Sequence, residues 1–362
     1  MATVTPRAGI LNIKPHMLAT PPAETGVRKI NLSSNESALG PSPQAARAAR
    51  AALDDIERYP EDGHLYLAAA IGKAFGLNPA QIVCGHGSDE LLQRLSRGYL
   101  NPGDEVIHSV HGYLKFPNYA FAMDATPVAA PDDNFRASVD GILACVTERT
   151  RMVLLANPDN PTGTCLSGLE IRRLHAGLPG HVLLVLDSAY AEYVTAQDYE
   201  LPVALVDAAR NVVMTRTFSK LFGLAGMRLG WLYGPPAVVN VLQRLGLTFP
   251  ISRPAMAAGI AAVGDTHHMQ HVFTYNRVQL ARFTIEMQAL GLRVIPSNTN
   301  FLLIDFAGQR KSARQAYDHL DAKGIVARMF NSVDYRNMLR VSIGLEVEMR
   351  LATGVLRECM QA

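Results

Sequence analysis

Hydrophobic residues in this 362-residue chain occur as short, nearly continuous runs that alternate with segments of helical periodicity. The apolar runs predict strands over residues 81–85, 104–110, 125–130, 151–157, 181–187 and 211–217. Helical patterns cover residues 42–53, 65–76, 88–100, 167–178 and 235–245. Apolar strands without alternation, separated by helices, are typical of a mostly parallel sheet that is covered by helices on both faces. The sequence therefore predicts an α/β fold.

The pattern changes beyond about residue 250. A long helix is predicted over 267–290, and strands are predicted within 292–306 and 338–344, as in a smaller α+β domain. Residues 1–40 are irregular and rich in proline, which predicts an arm that is part of the small domain. We therefore expect this arm, a large domain over 41–250 and a small C-terminal domain over 251–362.

Composition narrows the classes of function. Hydrophobic residues make up 48% of the chain, charged residues make up 18%, and the formal net charge is +2. Such a balance gives no indication of a nucleic-acid partner. The four cysteines are scattered, without the spacing of a disulfide framework or a zinc site, so no metal is expected. No apolar run is long enough to span a bilayer, so we expect a cytoplasmic protein with no membrane partner.

Polar or glycine-containing motifs follow most of the predicted strands. "GHGSDE" follows the first strand, "NPDNPTG" follows strand 151–157, "DSAY" begins at the end of strand 181–187, and "FSK" follows strand 211–217. In an open α/β sheet, ligands bind just beyond the carboxyl ends of the strands. We therefore expect these motifs to face one crevice.

Lys220, in the last of these motifs, is the first candidate for a catalytic residue. Only seven of the 34 basic residues are lysine, so arginine is the usual cation of this chain. A lysine can lose its proton when it is desolvated and can form a Schiff base, whereas an arginine cannot. The apolar neighbours Phe218 and Leu221 favour a desolvated lysine over an ordinary surface lysine.

Asp187 ends a strongly apolar strand, where a carboxylate is costly unless it is paired. Taken alone, it is better interpreted as a helix N-cap. Tyr190 and Asn160 follow neighbouring strands and could reach the same site. Tyr113, which follows strand 104–110, could stack its ring on a flat ligand, although a core position is the better interpretation of that residue alone.

The motif "GHGSDE" predicts an anion site at the start of a helix. The backbone N–H groups of Gly87, Ser88 and Asp89 would point at the anion, and the helix dipole would favour a phosphate there. Ser219 and Arg228 could add charge-assisted hydrogen bonds to the same phosphate. A purely structural turn remains an equal alternative for the glycines alone.

Together these residues match the needs of pyridoxal 5′-phosphate (PLP). PLP has an aldehyde for a lysine, a phosphate for a glycine turn with serine and arginine, and a ring nitrogen for a carboxylate. Its phenolate oxygen suits an asparagine and a tyrosine, and its flat face suits an aromatic ring. The sequence therefore predicts PLP as the cofactor.

The chain resembles the fold-type I, PLP-dependent aminotransferases of the histidinol-phosphate aminotransferase family. The similar stretches, in the family's order, are "NESALGPSP" (35–43), "RYP" (58–60), "GHGSDE" (85–90), "NPDNPTG" (157–163), "DSAY" (187–190), "TFSKLFGLAGMRLG" (217–230) and "LRVSIG" (339–344). They span nearly the whole chain, and the combination of "NPDNPTG", "DSAY" and "SKLFGLAGMRLG" at these distances is the most specific signal.

The resemblance implies a role for each cofactor residue. Lys220 would link to the cofactor's aldehyde and then move the proton on the substrate carbon. Asp187 would keep the pyridine nitrogen protonated, Asn160 and Tyr190 would bind the phenolate oxygen, and Tyr113 would stack on the ring. The phosphate would be held by Gly87, Ser88, Asp89, Ser219 and Arg228.

The resemblance also implies a homodimer with shared active sites. In this family the tyrosine of "RYP", here Tyr59, reaches the phosphate in the neighbouring subunit. Arg340 would clamp the acidic group of the substrate, and Asn35 would lie on the arm that covers the substrate. Arg328 matches the family's second substrate arginine, in a stretch that departs from the family pattern. The arm has His16 where the family has a tyrosine that binds the substrate's phosphate, which weakens the case for a phosphorylated substrate.

The expected reaction is the transfer of an amino group between L-histidinol phosphate and 2-oxoglutarate, so a small-molecule amino donor and a 2-oxo acid are expected as partners besides the second subunit. Aromatic amino acids are alternative donors, because relatives with either preference share these motifs. A threonine-phosphate-type decarboxylase would keep the same lysine and aspartate. A PLP-binding regulatory module would need a separate DNA-binding domain, for which this chain has neither room nor a basic segment.

Overall fold

The structure is a computed structural model that describes residues 4–14, 29–60 and 64–362. The strands are β1 Ile30–Asn31, β2 Ile82–Gly85, β3 Glu105–Ser109, β4 Thr126–Ala130, β5 Asp132–Asp133, β6 Arg136–Ala137, β7 Thr150–Ala156, β8 Leu183–Asp187, β9 Val212–Thr217, β10 Gly230–Tyr233, β11 Arg293–Ile295, β12 Phe301–Asp305, β13 Ile325–Val326 and β14 Met338–Ser342. The α-helices are α1 Pro43–Ala51, α2 Leu65–Phe75, α3 Ser88–Tyr99, α4 Phe116–Phe121, α5 Val139–Ala144, α6 Gly168–Gly177, α7 Val203–Ala208, α8 Pro236–Leu245, α9 Arg253–Gly264, α10 Thr266–Ala289, α11 Ala313–Ala322 and α12 Glu346–Gln361.

The central sheet confirms the predicted α/β fold with a mostly parallel sheet. Its strand order is β2-β10-β9-β8-β7-β3-β4, and β10 alone in this sheet runs antiparallel to its neighbours. Strands β2, β3, β8, β9 and β10 are buried along their whole length, because helices cover both faces. Alternate residues of β7 enter two separate apolar clusters, Val153 on one face and Leu154 on the other.

Local sequence signals explain where several of the predicted helices begin and end. Ser42 caps α1 by accepting a hydrogen bond from the Ala45 N–H, and Pro43 occupies the first helical position. Gly76 ends α2 in the left-handed conformation that glycine adopts without strain. Ser167 and Glu170 form a reciprocal capping box at the start of α6. These helix termini determine how many residues remain to connect each helix to the neighbouring strand.

The C-terminal part of the chain forms a second apolar core. Strands β11, β12 and β14 make an antiparallel sheet that packs with α11 and α12. Strand β1, which lies within the predicted arm, pairs in parallel with β13. This pairing attaches that part of the arm to the smaller unit. The division at residue 250 stays a prediction, but α9 contributes Ala255 and Ala258 to the large core. Helix α10 then leads from the large core to the small one, where Phe283 and Met287 are buried.

Candidate active site

The carboxyl ends of β2, β3, β7, β8 and β9 open onto one cavity of about 230 Å³. This is the crevice that the strand-end motifs predict, since parallel strands end at the same edge of a sheet. The cavity is lined by Ser34, Glu36, Ser88, Asp89, Tyr113, Ala156, Pro158, Asn160, Asp187, Ala189, Tyr190, Thr217, Ser219, Lys220, Ala225 and Arg228. Nine of the predicted site residues are in this set, namely Ser88, Asp89, Tyr113, Asn160, Asp187, Tyr190, Ser219, Lys220 and Arg228.

Lys220 follows β9 and extends its amine into the cavity. Its Nζ donates a hydrogen bond to the Ser34 carbonyl at 3.2 Å and lies 5.6 Å from the centroid of the Tyr190 ring. Desolvation lowers the pKa of Lys220 to about 8, and the guanidinium of Arg340 adds to this effect. A lysine with such a pKa has a substantial neutral fraction near pH 7–8, which is the form that acts as a nucleophile or a base.

Asp187, at the end of β8, is a buried carboxylate that is 6% exposed. Its Oδ1 accepts a hydrogen bond from the Thr215 hydroxyl at 2.9 Å. Burial raises the pKa of Asp187 to about 7, because the Thr215 hydrogen bond and the Lys220 charge compensate only part of the lost hydration. A ligand cation at this carboxylate would restore its ordinary ionisation, so the site suits a protonated ring nitrogen.

Tyr190 and Asn35 connect the two apolar units at the edge of the cavity. The Asn35 amide donates to the Tyr190 hydroxyl at 2.9 Å, and Ser342 donates to the Asn35 side-chain oxygen at 2.9 Å. Burial raises the pKa of Tyr190 to about 12, so the phenol keeps its proton and can donate a hydrogen bond. Asn35 does not line the cavity itself, but it orients a residue that does.

Arg340 lies on β14 and supplies a cation next to the cavity. Its Nη1 donates to the side-chain oxygen of Asn160, and its Nη2 donates to the Ser33 carbonyl at 2.6 Å. Desolvation lowers the pKa of Arg340 to about 10, and its Nε has no hydrogen-bond partner among the described residues. A buried guanidinium with a donor still unused is suited to bind an anionic group of a substrate.

The start of α3 brings together the residues that were predicted to form an anion site. Gly87 has φ 83°, and a Cβ at that position would lie 3.0 Å from Nη2 of Arg228. A Cβ on Gly230 would lie 2.5 Å from the Ser88 backbone nitrogen, so glycine is required for β10 to approach the helix start. Arg228 also donates to the Ser219 hydroxyl at 3.4 Å. These backbone and side-chain donors fit a phosphate group.

The carboxylate of Asp89 is occupied by three neighbouring side chains, so only its backbone N–H is suited to bind an anion. It accepts hydrogen bonds from Lys115 at 2.7 Å, Tyr119 at 2.7 Å and Tyr113 at 3.2 Å. Burial opposes ionisation of Asp89, but the Lys115 ammonium and these hydrogen bonds outweigh it and lower the pKa. Through this contact Asp89 fixes the edge of the Tyr113 ring at the cavity wall.

Gly87, Asn35 and Arg340 adjoin the cavity without lining it, whereas Tyr59 and Arg328 are exposed at the surface. Tyr59 is 74% exposed and stacks on Phe249, with ring centroids 4.3 Å apart. The side chain of Arg328 is exposed, although its backbone pairs with that of Arg340 through hydrogen bonds of 2.9 and 3.0 Å. His16 lies outside the residues that the structure describes.

Thr215 and Thr217 share one face of β9 and point toward the site, although the sequence patterns did not single them out. Thr215 binds Asp187, and Thr217 lines the cavity and donates to Ser219 at 3.0 Å. Their spacing of two residues, ending three residues before Lys220, is the signal that could have identified them. Asp159, which was also not predicted, is a buried carboxyl whose pKa is raised to about 8 by burial and which accepts a hydrogen bond from the Asn160 N–H at 2.8 Å.

The part of the chain that the structure describes has no cluster of histidine, cysteine, aspartate and glutamate arranged to hold a metal ion. Within the same residues, no helix combines the length and the apolar character needed to cross a membrane.

Known proteins resemble this chain over nearly its whole length. The family model "Aminotransferase class I and II" matches residues 27–353. The histidinol-phosphate aminotransferase of Rhodospirillum centenum is 48% identical over 361 residues and covers 100% of both chains, and that of Nitrobacter winogradskyi is 45% identical with 99% of each chain covered. The crystal structure of histidinol-phosphate aminotransferase from Sinorhizobium meliloti in complex with pyridoxal 5′-phosphate has a TM-score of 0.88 and 31% identity, with 93% of this chain and 92% of that chain covered.

Proposed function

The chain belongs to the class I and II aminotransferases, in the histidinol-phosphate aminotransferase family, and from this premise we propose that it transfers an amino group between L-histidinol phosphate and 2-oxoglutarate with PLP as its cofactor. The observation that carries the proposal is the placement of Lys220 in one cavity with Asp187 and Asn160, next to the buried Arg340. The similarity of the relatives favours this substrate over the aromatic donors and the decarboxylase.

The residues of the cavity fit PLP. When bound, PLP supplies an electron sink that makes the proton on the substrate's α carbon acidic. We assign Asp187 to the ring nitrogen, because it is a buried carboxylate whose side-chain hydrogen bond comes from the neutral Thr215 hydroxyl rather than from a cation. Asn160 and Tyr190 would hold the phenolate oxygen, and Tyr113 would cover one face of the ring. The phosphate would be held by the Gly87, Ser88 and Asp89 backbone with Ser219 and Arg228.

Lys220 performs the proton transfer in this proposal. Its neutral amine is available near neutral pH because desolvation and nearby arginines lower its pKa to about 8. The Ser34 carbonyl holds Nζ on the side of the cavity that faces the arm. From there, Lys220 takes the proton from the substrate carbon and returns it at the neighbouring position.

The substrate's acidic group would bind at Arg340. The Asn160 side chain and the Ser33 carbonyl fix two of its nitrogens, and its Nε remains without a partner among the described residues. Arg328 is joined to Arg340 through the backbone and would add a second positive charge for a phosphate. Asn35 and His16 would contribute from the arm side.

The proposed assembly is a homodimer with shared sites. Tyr59 and Phe249 stack on each other at the surface, and Leu53, Ile56 and Leu247 are exposed in the same two segments of the chain. Large apolar side chains exposed together are typical of an interface. In the dimer, Tyr59 would reach the phosphate site of the partner subunit. A cytoplasmic location is supported by the four cysteines, all of which are free.

The test is a panel of amino donors added to the PLP-loaded enzyme without a 2-oxo acid, followed by the absorbance of the bound cofactor. We expect L-histidinol phosphate to convert the cofactor to its amino form with the highest kcat/KM, and 2-oxoglutarate to restore the starting spectrum. An enzyme that responds to phenylalanine or tyrosine but not to histidinol phosphate would contradict the proposed substrate. Release of carbon dioxide from threonine phosphate would contradict the proposed reaction.

A further inference from the structure

A buried ion pair joins two of the segments that carry the site. Nη2 of Arg216 lies 2.5 Å from Oε1 of Glu192, and the two side chains are 3% and 7% exposed. Arg216 lies on β9, four residues before Lys220, and Glu192 lies in the 3₁₀ turn Ala191–Tyr193, two residues after Tyr190. The pair therefore connects the strand that leads to the lysine with the turn that holds the tyrosine.

The two charged side chains lie outside the cavity. Side chains alternate along a strand, so Arg216 points away from the face of Thr215, which binds Asp187. Its guanidinium lies 5.1 Å from the ring centroid of Phe75 and 5.2 Å from that of Trp231, both on the large core. Neither Arg216 nor Glu192 lines the cavity, so neither contacts the cofactor or the substrate directly.

Stability alone is a poor explanation for two charges at this depth. The desolvation of a buried ion pair often cancels its attraction, and well-packed apolar residues can replace such a pair without loss of stability. The Arg216–Glu192 pair is also incompletely satisfied, since Nε of Arg216 and Oε2 of Glu192 have no hydrogen-bond partner among the described residues. What the pair does supply is a directional contact between strand β9 and the turn Ala191–Tyr193, which apolar side chains cannot reproduce.

The turn that contains Glu192 also carries Tyr190, and backbone hydrogen bonds connect this segment to β9. The Ser188 N–H donates to the Thr215 carbonyl at 2.9 Å, and the Tyr193 N–H donates to the Tyr190 carbonyl at 2.9 Å. The Tyr190 side chain then faces Nζ of Lys220, 5.6 Å from its ring centroid. A shift of the turn would change this distance and the direction of the Tyr190 hydroxyl.

We propose that Arg216 and Glu192 are positioning residues that hold the Tyr190 turn against the end of β9 and so fix Tyr190 relative to Lys220. This inference rests on the proposed roles of Tyr190 and Lys220. It adds a requirement for a fixed turn, which the cavity residues alone do not provide.

The test compares Glu192→Gln with a matched control, Glu105→Gln. Glu105 is also an ion-paired carboxylate whose side chain is 7% exposed, but it lies at the amino end of β3, away from the cavity. We expect Glu192→Gln to lower kcat by about a hundredfold, as small misplacements near reacting groups do, with a smaller change in KM. Amide hydrogen exchange over residues 188–194 should become faster in the cofactor-free chain. Glu105→Gln should leave both kcat and this exchange unchanged.

A second variant, Arg216→Met with Glu192→Met, separates positioning from stability. We expect it to melt close to the wild type yet to keep the lowered kcat and the faster exchange of the turn. If the double variant instead shows wild-type kcat and wild-type exchange, the pair is structural only and the proposal is wrong. If Glu192→Gln does not fold, the double variant decides alone. Tyr190→Phe is measured beside them: an unchanged kcat in that variant would refute the proposed role of Tyr190, whereas the exchange rates would still report whether the pair holds the turn.

Discussion

The side-chain amide of Asn35 donates a hydrogen bond to the hydroxyl of Tyr190 at 2.9 Å across 155 residues of sequence. Asn35 is itself held by Ser342 on β14, so the contact joins the small sheet to the turn that follows β8. Its φ of 55° is in the left-handed region, which asparagine tolerates better than most residues. The backbone conformation and the side-chain contact are therefore two separate reasons for an asparagine at this position.

Two variants of Asn35 separate these reasons. Asn35→Gly keeps the backbone conformation and removes the amide, so kcat/KM should fall roughly fivefold, which corresponds to about 1 kcal/mol, and the melting temperature should fall by the contribution of the lost hydrogen bonds. Asn35→Ala removes the same amide and adds backbone strain, so it should melt at a lower temperature than Asn35→Gly. Steady-state kinetics and thermal unfolding of both variants check this prediction. A glycine variant with wild-type kcat/KM would show that the Tyr190 contact has no catalytic consequence.

Lys220→Ala should fold and should still bind PLP without a covalent link, because the phosphate and ring contacts come from other residues. It should show no transamination, since the proton-transferring amine is absent. Mass spectrometry after borohydride reduction measures the link directly. Lys73→Ala, which removes an exposed lysine on α2, is the control and should retain both the link and the activity. Cofactor that is still fixed to the Lys220→Ala chain would contradict the assignment.

Asp187 gives the cofactor-free chain a defined pH dependence. Its pKa is raised to about 7 by burial, so the folded chain binds the Asp187 proton more tightly than the unfolded chain does. The bound proton therefore stabilises the folded chain fully below the unfolded pKa near 4, and this stabilisation is lost as the pH rises toward 7. It amounts to about 1.4 kcal/mol for each unit of difference between the folded and unfolded pKa values. Asp187→Asn, which cannot ionise, should therefore be more stable than the wild type at pH 8 and equally stable at pH 4.

Bound PLP should reverse this difference. A protonated ring nitrogen at Asp187 stabilises the carboxylate, so Asp187→Asn should bind PLP more weakly and melt below the wild type when both are loaded. Thermal unfolding at pH 4 and pH 8, with and without PLP, gives all the comparisons needed. If the cofactor stabilises the two proteins equally at pH 8, Asp187 is not a partner of the ring nitrogen.

The location of the site could be predicted from the sequence because parallel topology brings the strand ends together. Lys220, Asp187 and Asn160 follow three different strands, and each is marked by a residue type that is unusual beside an apolar run. These three assignments did not depend on contacts between residues that are distant in sequence. The pairing of β9 with β8 then placed the Thr215 hydroxyl on Asp187, a contact between strands that a single strand's pattern does not specify.

Other features depend on contacts that are distant in sequence. Strand β10 is only four residues long and antiparallel, and its pairing with β2 fixes Gly230 against the start of α3. The pairing of β1 with β13 is two residues long, too short for any periodicity. The Lys115–Asp89 contact and the Arg216–Glu192 pair join charged residues whose spacing in sequence gives no signal. Tertiary packing, rather than local preference, decides each of these.

A mixture of two inactive variants tests the shared site. Tyr59→Ala and Lys220→Ala each damage every site of their own homodimer, if Tyr59 serves the partner subunit. A mixed dimer would contain one site with Lys220 from one chain and Tyr59 from the other, both intact. Activity should therefore reappear when the two variants are unfolded together and refolded, or expressed together. Activity that stays absent in a demonstrated mixed dimer would place Tyr59 outside the partner's site.

Arg328 and Arg340 should separate phosphorylated from unphosphorylated donors. A phosphate carries close to two negative charges and gains from two guanidinium groups, whereas the α-carboxylate of an aromatic amino acid carries one. Arg340 is buried and contacts Asn160, so Arg340→Ala should reduce activity with every donor. Arg328 is exposed, and screening by solvent places its contribution at the low end for a charged hydrogen bond, about 1.5 kcal/mol or roughly tenfold.

Arg328→Ala should accordingly lower kcat/KM for L-histidinol phosphate by about tenfold and change kcat/KM for phenylalanine much less. Arg336→Ala is the matched control, because it removes an exposed arginine from the same segment and changes the net charge equally. The loss in Arg328→Ala should shrink as ionic strength rises, since an exposed charge is screened by salt. Equal losses with the two donors, or an equal loss in Arg336→Ala, would mean that Arg328 does not bind the phosphate. The preference for a phosphorylated donor would then have to come from Arg340 and the arm that carries His16.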